Sequence, residues 1–335
     1  MPFWINLITA LSAFAISAVT GKFLIPLLKK IHFGQTIYED GPKWHKNKQG
    51  TPIMGGFMFI LGSIAACAVG YSLYRFVGND VSIPDNTGLY RLVAGIIFAL
   101  LNMLIGFSDD YIKAVKKQNL GLKAWQKMIM LFIFSSIFLV VLYLLGDVKT
   151  TLDFHWFELD IGIFYYPFIL LVIVFITNAV NLTDGIDGLC GSVTVVTMLS
   201  FVMLCSAMHI WEYSIFAIAV AGGCLGFLVW NLHPAKVFMG DTGSMFLGGA
   251  VVAIGIVTRE HLLFAVIAII YICEALSVVI QVIYFKATKG KRIFKMTPIH
   301  HHFELCEWGE YKIVIVFSVV SLIAGTAANL IYSLC

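Results

Sequence analysis

Apolar runs of about 20 residues, repeated from one end of the chain to the other, constrain this sequence more than any other feature. A helix needs about 20 apolar residues to cross a hydrocarbon core of ~30 Å. Ten runs meet that length or approach it: 3–28, 53–74, 92–108, 128–146, 164–180, 190–208, 213–230, 242–258, 262–285 and 312–334. Only His209 to Glu212 separates the sixth from the seventh. The chain is 60% hydrophobic and 12% charged, against roughly 45–50% and about 25% in soluble domains. That balance excludes a soluble enzyme, and it is the reverse of what disorder requires. A membrane barrel would show short alternating strands instead of continuous apolar runs. The expected fold is an all-α polytopic membrane protein with ten transmembrane helices. Residues 1–335 read as a single integral membrane domain, with no linker, repeat or low-complexity tract. The run from Phe3 to Leu28 is too long for a cleavable leader and reads as the first span. Seven scattered cysteines without a CxxC pair read as packing residues, not as a metal or disulfide framework.

Lysine and arginine then orient the spans. If the loops alternate sides, one set carries 17 basic residues and the other only Arg75, Arg91, Lys149 and Arg259, while Lys22 lies within the first span. The rich set is expected in the cytoplasm, which puts both termini outside. A miscounted pair of helices would scramble this split.

Polar chemistry gathers on the lysine-rich side, in four segments. Ionisable residues at membrane depth are costly and are functional candidates by default. Asp109-Asp110-Tyr111 ends the third span. Neighbours on a helix point about 100° apart, so the two carboxylates cannot share one task unless the helix breaks. A solvated helix end and a metal or phosphate site are both open readings. Asn178-Ala-Val-Asn181-Leu-Thr-Asp184-Gly185-Ile186-Asp187-Gly188 follows the fifth span. Here two acids three apart can share a face, and the glycines permit close backbone approach to a ligand. Asn231 to Ser244 leads into the eighth span, with Asp241 at its start, where helix capping and phosphate binding both fit. Met296 to Glu304 holds His300, His301 and His302 behind a basic run. Metal binding and hydrogen bonding to phosphate are equally open there.

Together these segments bring five acids (109, 110, 184, 187 and 241) and many cations to one membrane face. Carboxylates suit Mg²⁺, which binds through one or two of them plus substrate phosphates. The residues alone therefore point to metal-assisted phosphoryl transfer with a lipidic substrate. Glu274 is the main acid deep in a span, and the bland reading for it is a satisfied interhelical hydrogen bond.

The motifs also resemble a known family. Asn181-Leu-Thr-Asp-Gly-Ile-Asp-Gly188, Phe238-Met-Gly-Asp-Thr-Gly-Ser244 and Asp109-Asp-Tyr111 are similar to signatures of the polyprenyl-phosphate N-acetylhexosamine-1-phosphate transferases. Pro298-Ile-His-His-His-Phe-Glu304 and Lys48-Gln-Gly-Thr-Pro-Ile-Met-Gly-Gly56 narrow the resemblance to the phospho-N-acetylmuramoyl-pentapeptide-transferases. It runs from about Lys43 to Glu310, and five motifs stand in the family's order. Ile53 and Ile186 replace the Thr and Leu that relatives often carry.

The resemblance implies a reaction at the cytoplasmic face of the bacterial cell membrane. Undecaprenyl phosphate attacks the β-phosphorus of UDP-MurNAc-pentapeptide with Mg²⁺ present. UMP leaves and lipid I remains, in the first membrane step of peptidoglycan and cell-wall synthesis. It also implies a homodimer in contact with membrane lipids, blocked by uridine-type nucleoside inhibitors and without a nucleic acid partner. Carried onto this sequence, Asp241 resembles the magnesium ligand, and Asp109 and Asp110 the carboxylates nearest the reacting phosphates. Asn181 and Asp184 resemble active-site polar groups. Gly185, Ile186 and Asp187 resemble the edge that meets uracil, and Phe238 the ring that stacks on it. Lys48, Lys113, Lys117 and Lys127 resemble phosphate or nucleotide contacts. Asn231, Gln281, His300 and His301 resemble pocket residues, with His301 counted in the catalytic set.

Asp109 is often assigned in this family as the base for the lipid phosphate. A phosphate monoester has its second pKa near 6 and is mostly dianionic at neutral pH, and lysines push that lower. The expectation here is that Asp109 positions metal or lysines. A UDP-N-acetylglucosamine-1-phosphate transferase is the nearest rival reading. A secondary transporter is a distant one, because transporters place polar groups near the midplane and often show repeats.

Overall fold

The computed structural model describes residues 1–30, 50–77, 86–116 and 120–334. Its helices are α1 (Phe3–Lys30), α2 (Gly56–Val77), α3 (Thr87–Lys116), α4 (Ala124–Leu144), α5 (Tyr165–Thr183), α6 (Leu189–Ala207), α7 (Trp211–Asn231), α8 (Gly240–Val257), α9 (His261–Ile267), α10 (Ile269–Ala287), α11 (Ile299–Glu304) and α12 (Glu310–Leu334). Among the described residues, ten helices are long and apolar enough to cross a membrane: all except α9 and α11. This is the all-α polytopic architecture expected from the apolar runs.

Burial runs inside out relative to a soluble bundle. On α4, Leu131, Phe138, Leu139 and Leu142 are buried, while Trp125, Ile129, Ile133, Ile137, Val140 and Leu144 are exposed at near four-residue spacing. A helix apolar on both faces needs protein on one side and lipid on the other. Twenty-one residues at ~1.5 Å each span about 30 Å, the thickness of the hydrocarbon.

The centre belongs to α8, where every residue from Thr242 to Val257 is buried. Small residues let its neighbours approach closely, as in membrane helix packing generally. A Cβ at Gly249 would lie 2.8 Å from Ala99 Cα on α3, and one at Gly248 would lie 2.8 Å from the Thr177 carbonyl on α5. The helix that carries Asp109 and Asp110, and the helix that ends just before Asp184, are thereby pressed against the helix with Asp241 in its first turn.

Two features depart from expectation. The ninth run is not one helix. It breaks at Ala268 (φ −87°, ψ 10°) into α9 and α10. No Pro or Gly lies between residues 261 and 287, so the usual helix breakers do not mark this point. The loop from 147 to 163 also contains a small antiparallel hairpin, β1 (Thr151–Asp153) with β2 (Glu158–Asp160), which pairs Leu152 with Leu159. A parallel bridge joins Asp153 to Glu260, so the hairpin is fastened to the start of α9.

The end of the bundle away from the acidic segments is closed by ion pairs. Arg91 Nη2 lies 2.5 Å from Asp147 Oδ1, and Arg259 donates to the Asp147 and Gly146 carbonyls at 2.7 and 2.8 Å. Two of the four basic residues on the lysine-poor side are thus tied up in structure.

Candidate active site

The C-terminal part of α3 lies against the first turn of α8. Asp109 and Asp110, both 2% exposed, face different partners there, as their angular offset requires. Asp110 turns to α8. Its Oδ2 accepts from Thr242 N (2.8 Å) and Thr242 Oγ1 (2.7 Å), and its Oδ1 accepts from Asp241 N (3.2 Å). The Met239 N-cap of α8 supplies no side-chain cap, so a residue 131 positions upstream of Asp241 does so. Gly240 adopts φ +70°, and a Cβ there would sit 2.5 Å from Asp110 Oδ2. Glycine is the residue that meets both demands.

Asp109 turns the other way. Its Oδ2 lies 2.5 Å from Lys113 Nζ, one turn along α3, and its Oδ1 lies 3.7 Å from Lys127 Nζ on α4. Oδ1 also accepts the Leu122 N–H at 2.8 Å. Gly121 packs on this carboxylate so closely that a Cβ would come within 2.5 Å of it. The same two lysines reach Asp241 Oδ2, at 3.2 Å (Lys113) and 2.7 Å (Lys127). Asn181 of α5 donates to Asp241 Oδ1 at 3.0 Å and to Ser244 Oγ at 2.8 Å. Four helices therefore meet at two carboxylates with two ammonium groups between them.

One oxygen from each of Asp109, Asp110 and Asp241 falls within a 4.8 Å group. The donor set fits a hard divalent cation, which prefers carboxylates and needs only one or two of them. Asp110 is already hydrogen-bonded through both oxygens. Asp109 and Asp241 are instead paired with the ammonium groups of Lys113 and Lys127.

The loop after α5 forms the next wall. Asp184 is half-buried. Burial, together with the negative charges of Asp241, Asp110 and Asp187, pushes its carboxyl well above the usual carboxylate range. Asp187 Oδ2 instead accepts from His233 Nδ1 and from the Ala235 N–H, both at 3.0 Å. Asn231 accepts from Gly188 N (3.1 Å) and donates to the Val237 carbonyl (2.9 Å). These two side chains lock the loops at 184–188 and 232–239 to each other. Ile186 is 4% exposed and packs in the apolar core, so it can offer only backbone to a ligand. Asp187, His233 and Glu310 form a second close group, and His233 Nδ1 bonds to both acids. An open cleft beside them is lined by Thr51, Trp308 and Gly309 as well.

Residues 52–56 pair with the segment that leads into α8. Phe238 N donates to the Pro52 carbonyl (2.9 Å), Gly55 N to the Phe238 carbonyl (2.8 Å) and Gly56 N to that of Met239 (3.1 Å). Phe238 is half-buried here. His300 is fully buried on α11, with Nδ1 between the two oxygens of Glu274. His301 Nδ1 bonds to Glu304 at 2.5 Å. Gln281 is engaged elsewhere. Its Oε1 accepts from Ile293 N and Phe294 N, and its Nε2 donates to the Phe294 carbonyl, each at 3.0 Å. It holds the turn after α10 to that helix.

Asp109, Asp110, Lys113, Lys127, Asn181 and Asp241 thus stand together, with Asp184 electrostatically linked to them. Asp187, Asn231 and Gln281 bond to backbone in this structure. Lys48 and Lys117 lie outside the described residues. Sequence reasoning missed Thr242 and Ser244, although both stand in the Asp241 motif. It also missed His233, which lies in the Asn231–Ser244 segment, and Gly121 and Glu310, which stand in none of the four segments.

The model of glycosyl transferase family 4 matches residues 92–259. The chain is 44% identical over 314 residues to a Clostridium botulinum protein named phospho-N-acetylmuramoyl-pentapeptide-transferase, with 93% of this chain and 92% of that one covered. Relatives of the same name in Heliobacterium modesticaldum (45% identity, 93% of each chain) and Halalkalibacterium halodurans (42% identity, 96% of each) match at least as much of the chain.

Proposed function

The chain belongs to the phospho-N-acetylmuramoyl-pentapeptide-transferase family, within glycosyl transferase family 4, and from that premise we propose how it performs the transfer. It is a membrane transferase of peptidoglycan synthesis. Its substrates are UDP-MurNAc-pentapeptide and a polyprenyl phosphate, read here as undecaprenyl phosphate. An oxygen of the lipid phosphate attacks the β-phosphorus, the bond from that phosphorus to the oxygen of UMP breaks, and lipid I and UMP result.

The observation that carries this reading is the pair of lysines held between Asp109 and Asp241. The reaction brings two anionic phosphates together and passes through a charge-spread transition state with the attacking and leaving oxygens in line. Lys113 and Lys127 supply fixed positive charge where that negative charge spreads. Asp241 and Asp109 would hold Mg²⁺, which supplies further charge neutralisation on the diphosphate oxygens. Asp109 orients both lysines and the turn at Leu122, which supports positioning over proton removal as its main work. Asn181 orients Asp241 through one amide nitrogen shared with Ser244. Asp110 fixes the start of α8 and so the place of Asp241. Phe238 and the 184–188 loop are read as the uridine edge, where nucleoside inhibitors would compete. His301 remains in the proposed catalytic set, and Lys48 and Lys117 in the proposed phosphate contacts.

The acidic end is assigned to the cytoplasm, in the bacterial cell membrane, with both termini outside. The one-sided lysine count supports this, all the more since Arg91 and Arg259 are bound to the Asp147 region. One domain over 1–335, acting as a homodimer among membrane lipids, completes the proposal.

The test is UMP release from purified protein supplied with UDP-MurNAc-pentapeptide, undecaprenyl phosphate and Mg²⁺. UDP-N-acetylglucosamine in place of the muramoyl nucleotide should yield no lipid-linked product. Asp241→Ala should abolish turnover at every Mg²⁺ concentration, and Asp241→Glu should recover in part at raised metal. Full activity of either variant in ordinary buffer removes Asp241 from the site.

A further inference from the structure

Glu274 sits in the second turn of α10, fully buried, with no part in the transfer as described above. An acid in that position is costly unless it is paired. Among the described residues its carboxylate bonds to one side chain. His300 Nδ1 lies 3.1 Å from Oε1 and 3.0 Å from Oε2. Near-equal distances to both oxygens are the geometry of one N–H shared by a carboxylate. A protonated carboxyl would instead favour the oxygen that carries its hydrogen.

The partner that one ring nitrogen makes decides what the other can do. With the proton held on Nδ1, the neutral imidazole presents a lone pair at Nε2. That atom is buried and has no hydrogen-bond partner among the described residues. A buried polar atom left unsatisfied costs about 1–3 kcal/mol. It lies against Gly185, where a Cβ would collide with Nε2 and Cε1 of the ring. Only a residue without a Cβ leaves Nε2 room on this side. This side belongs to the loop carrying Asp184 and Asp187.

We propose that Glu274 is a positioning residue: it holds His300 in the Nδ1–H tautomer, so that Nε2 accepts a hydrogen bond from an N–H or O–H donor of the sugar nucleotide beside Gly185. The inference rests on the transferase reading for the identity of that ligand. Its tautomer component stands on the Glu274–His300 geometry alone. The donor has two possible sources, the nucleoside and the sugar with its acetamido group.

The experiment uses the full chain in detergent, with Glu274→Gln as the main variant. Gln matches Glu in shape and can still bond to Nδ1, either accepting through oxygen or donating through nitrogen. It therefore frees the tautomer without emptying the space. The ¹⁵N spectrum of labelled imidazoles, with His300 identified by its absence in His300→Asn, reads which nitrogen carries the proton. A bare Nε2 in the wild type and a mixed or reversed ring in Glu274→Gln are expected. A wild-type ring with a proton on Nε2, whether alone or together with one on Nδ1, would overturn the proposal, whatever the enzyme's substrate.

In kinetics, loss of a supporting partner of this kind costs about 10–100-fold. That loss is expected in kcat/KM for the nucleotide sugar, with the KM for the lipid phosphate unchanged. Adding Glu274→Gln to His300→Asn should cause little further loss, because both act through one atom. Losses that multiply would overturn the proposal. Weakened UDP binding in Glu274→Gln assigns the donor to the nucleoside, and unweakened UDP binding with a raised nucleotide-sugar KM assigns it to the sugar. Unchanged values for both ligands overturn it. Failure of the wild type to release UMP bears on the transferase reading and leaves the spectroscopic result standing.

Discussion

Replacing Asp109 by Asn separates a positioning carboxylate from a catalytic base. The side chain keeps its shape, and its remaining oxygen can still accept the Leu122 N–H. What disappears is the charge that faces Lys113 at 2.5 Å and Lys127 at 3.7 Å. Hydrogen bonds to charged groups are worth ~1.5–3 kcal/mol each. Losing the closer one and weakening the farther should cost about 3–4 kcal/mol of transition-state stabilisation. At ~1.36 kcal/mol per decade, that is a fall of about 10²–10³ in kcat. A lost general base predicts a similar fall, ~10²–10⁴, so magnitude alone does not decide between the roles. The pH dependence does. If Asp109 removes a proton from the lipid phosphate, hydroxide can replace it, and the variant's rate relative to wild type climbs as pH rises. If Asp109 positions cations, that ratio stays flat, because the phosphate is already dianionic above its second pKa near 6. UMP release by both proteins, measured from pH 6 to 9 at saturating substrates and fixed Mg²⁺, gives the ratio directly. A flat ratio is expected. Recovery of most of the lost rate by pH 9 would refute the positioning account.

Three further substitutions test the surrounding architecture. Asp110→Asn leaves one acceptor oxygen where three hydrogen bonds from Asp241 and Thr242 converge. It should destabilise the protein by about 1–3 kcal/mol and lower activity through a displaced α8, whereas Thr242→Val, which removes one donor, should cost less; thermal unfolding in detergent ranks the two. The Asp184 carboxyl is held above its ordinary range by burial and then by neighbouring acids. The folded state therefore favours its protonated form, and stability is fullest below the unfolded pKa near 4 and declines as pH rises toward the folded value. Asp184→Asn should unfold at a higher temperature than wild type at pH 8, with the difference shrinking toward pH 4, while transfer activity falls. A lower unfolding temperature at pH 8 contradicts the burial argument.

The membrane spans were legible because crossing a bilayer is a local property. A run of apolar residues either covers about 30 Å or it does not, and the ten runs correspond to the ten helices, within a few residues at most ends. The gathering of acids at one end followed from the same alternation. The break at Ala268 was not legible, since the surrounding residues all favour helix or tolerate it and no breaker stands there. The hairpin over 151–160 was too short to leave a pattern of its own.

The division of labour among the polar residues was a different matter. Asp109 and Asp110 are neighbours with one side-chain chemistry, yet one faces lysines and the other caps a helix more than a hundred residues away. Asp187, Asn231 and Gln281 carry motif-like identities, and each bonds to backbone in the folded chain. For Glu274 the sequence reading gives a hydrogen bond to another helix, and the fold supplies the partner, His300. The sequence by itself determined the number of membrane-length helices and which end of them would carry charge, because hydrophobic length and residue type are written locally. Only the tertiary structure decided which carboxylates point at cations and which at backbone N–H groups. Each hydrogen bond needs its partner within about 3 Å in the right direction, and those partners come from segments that meet only when the bundle is assembled.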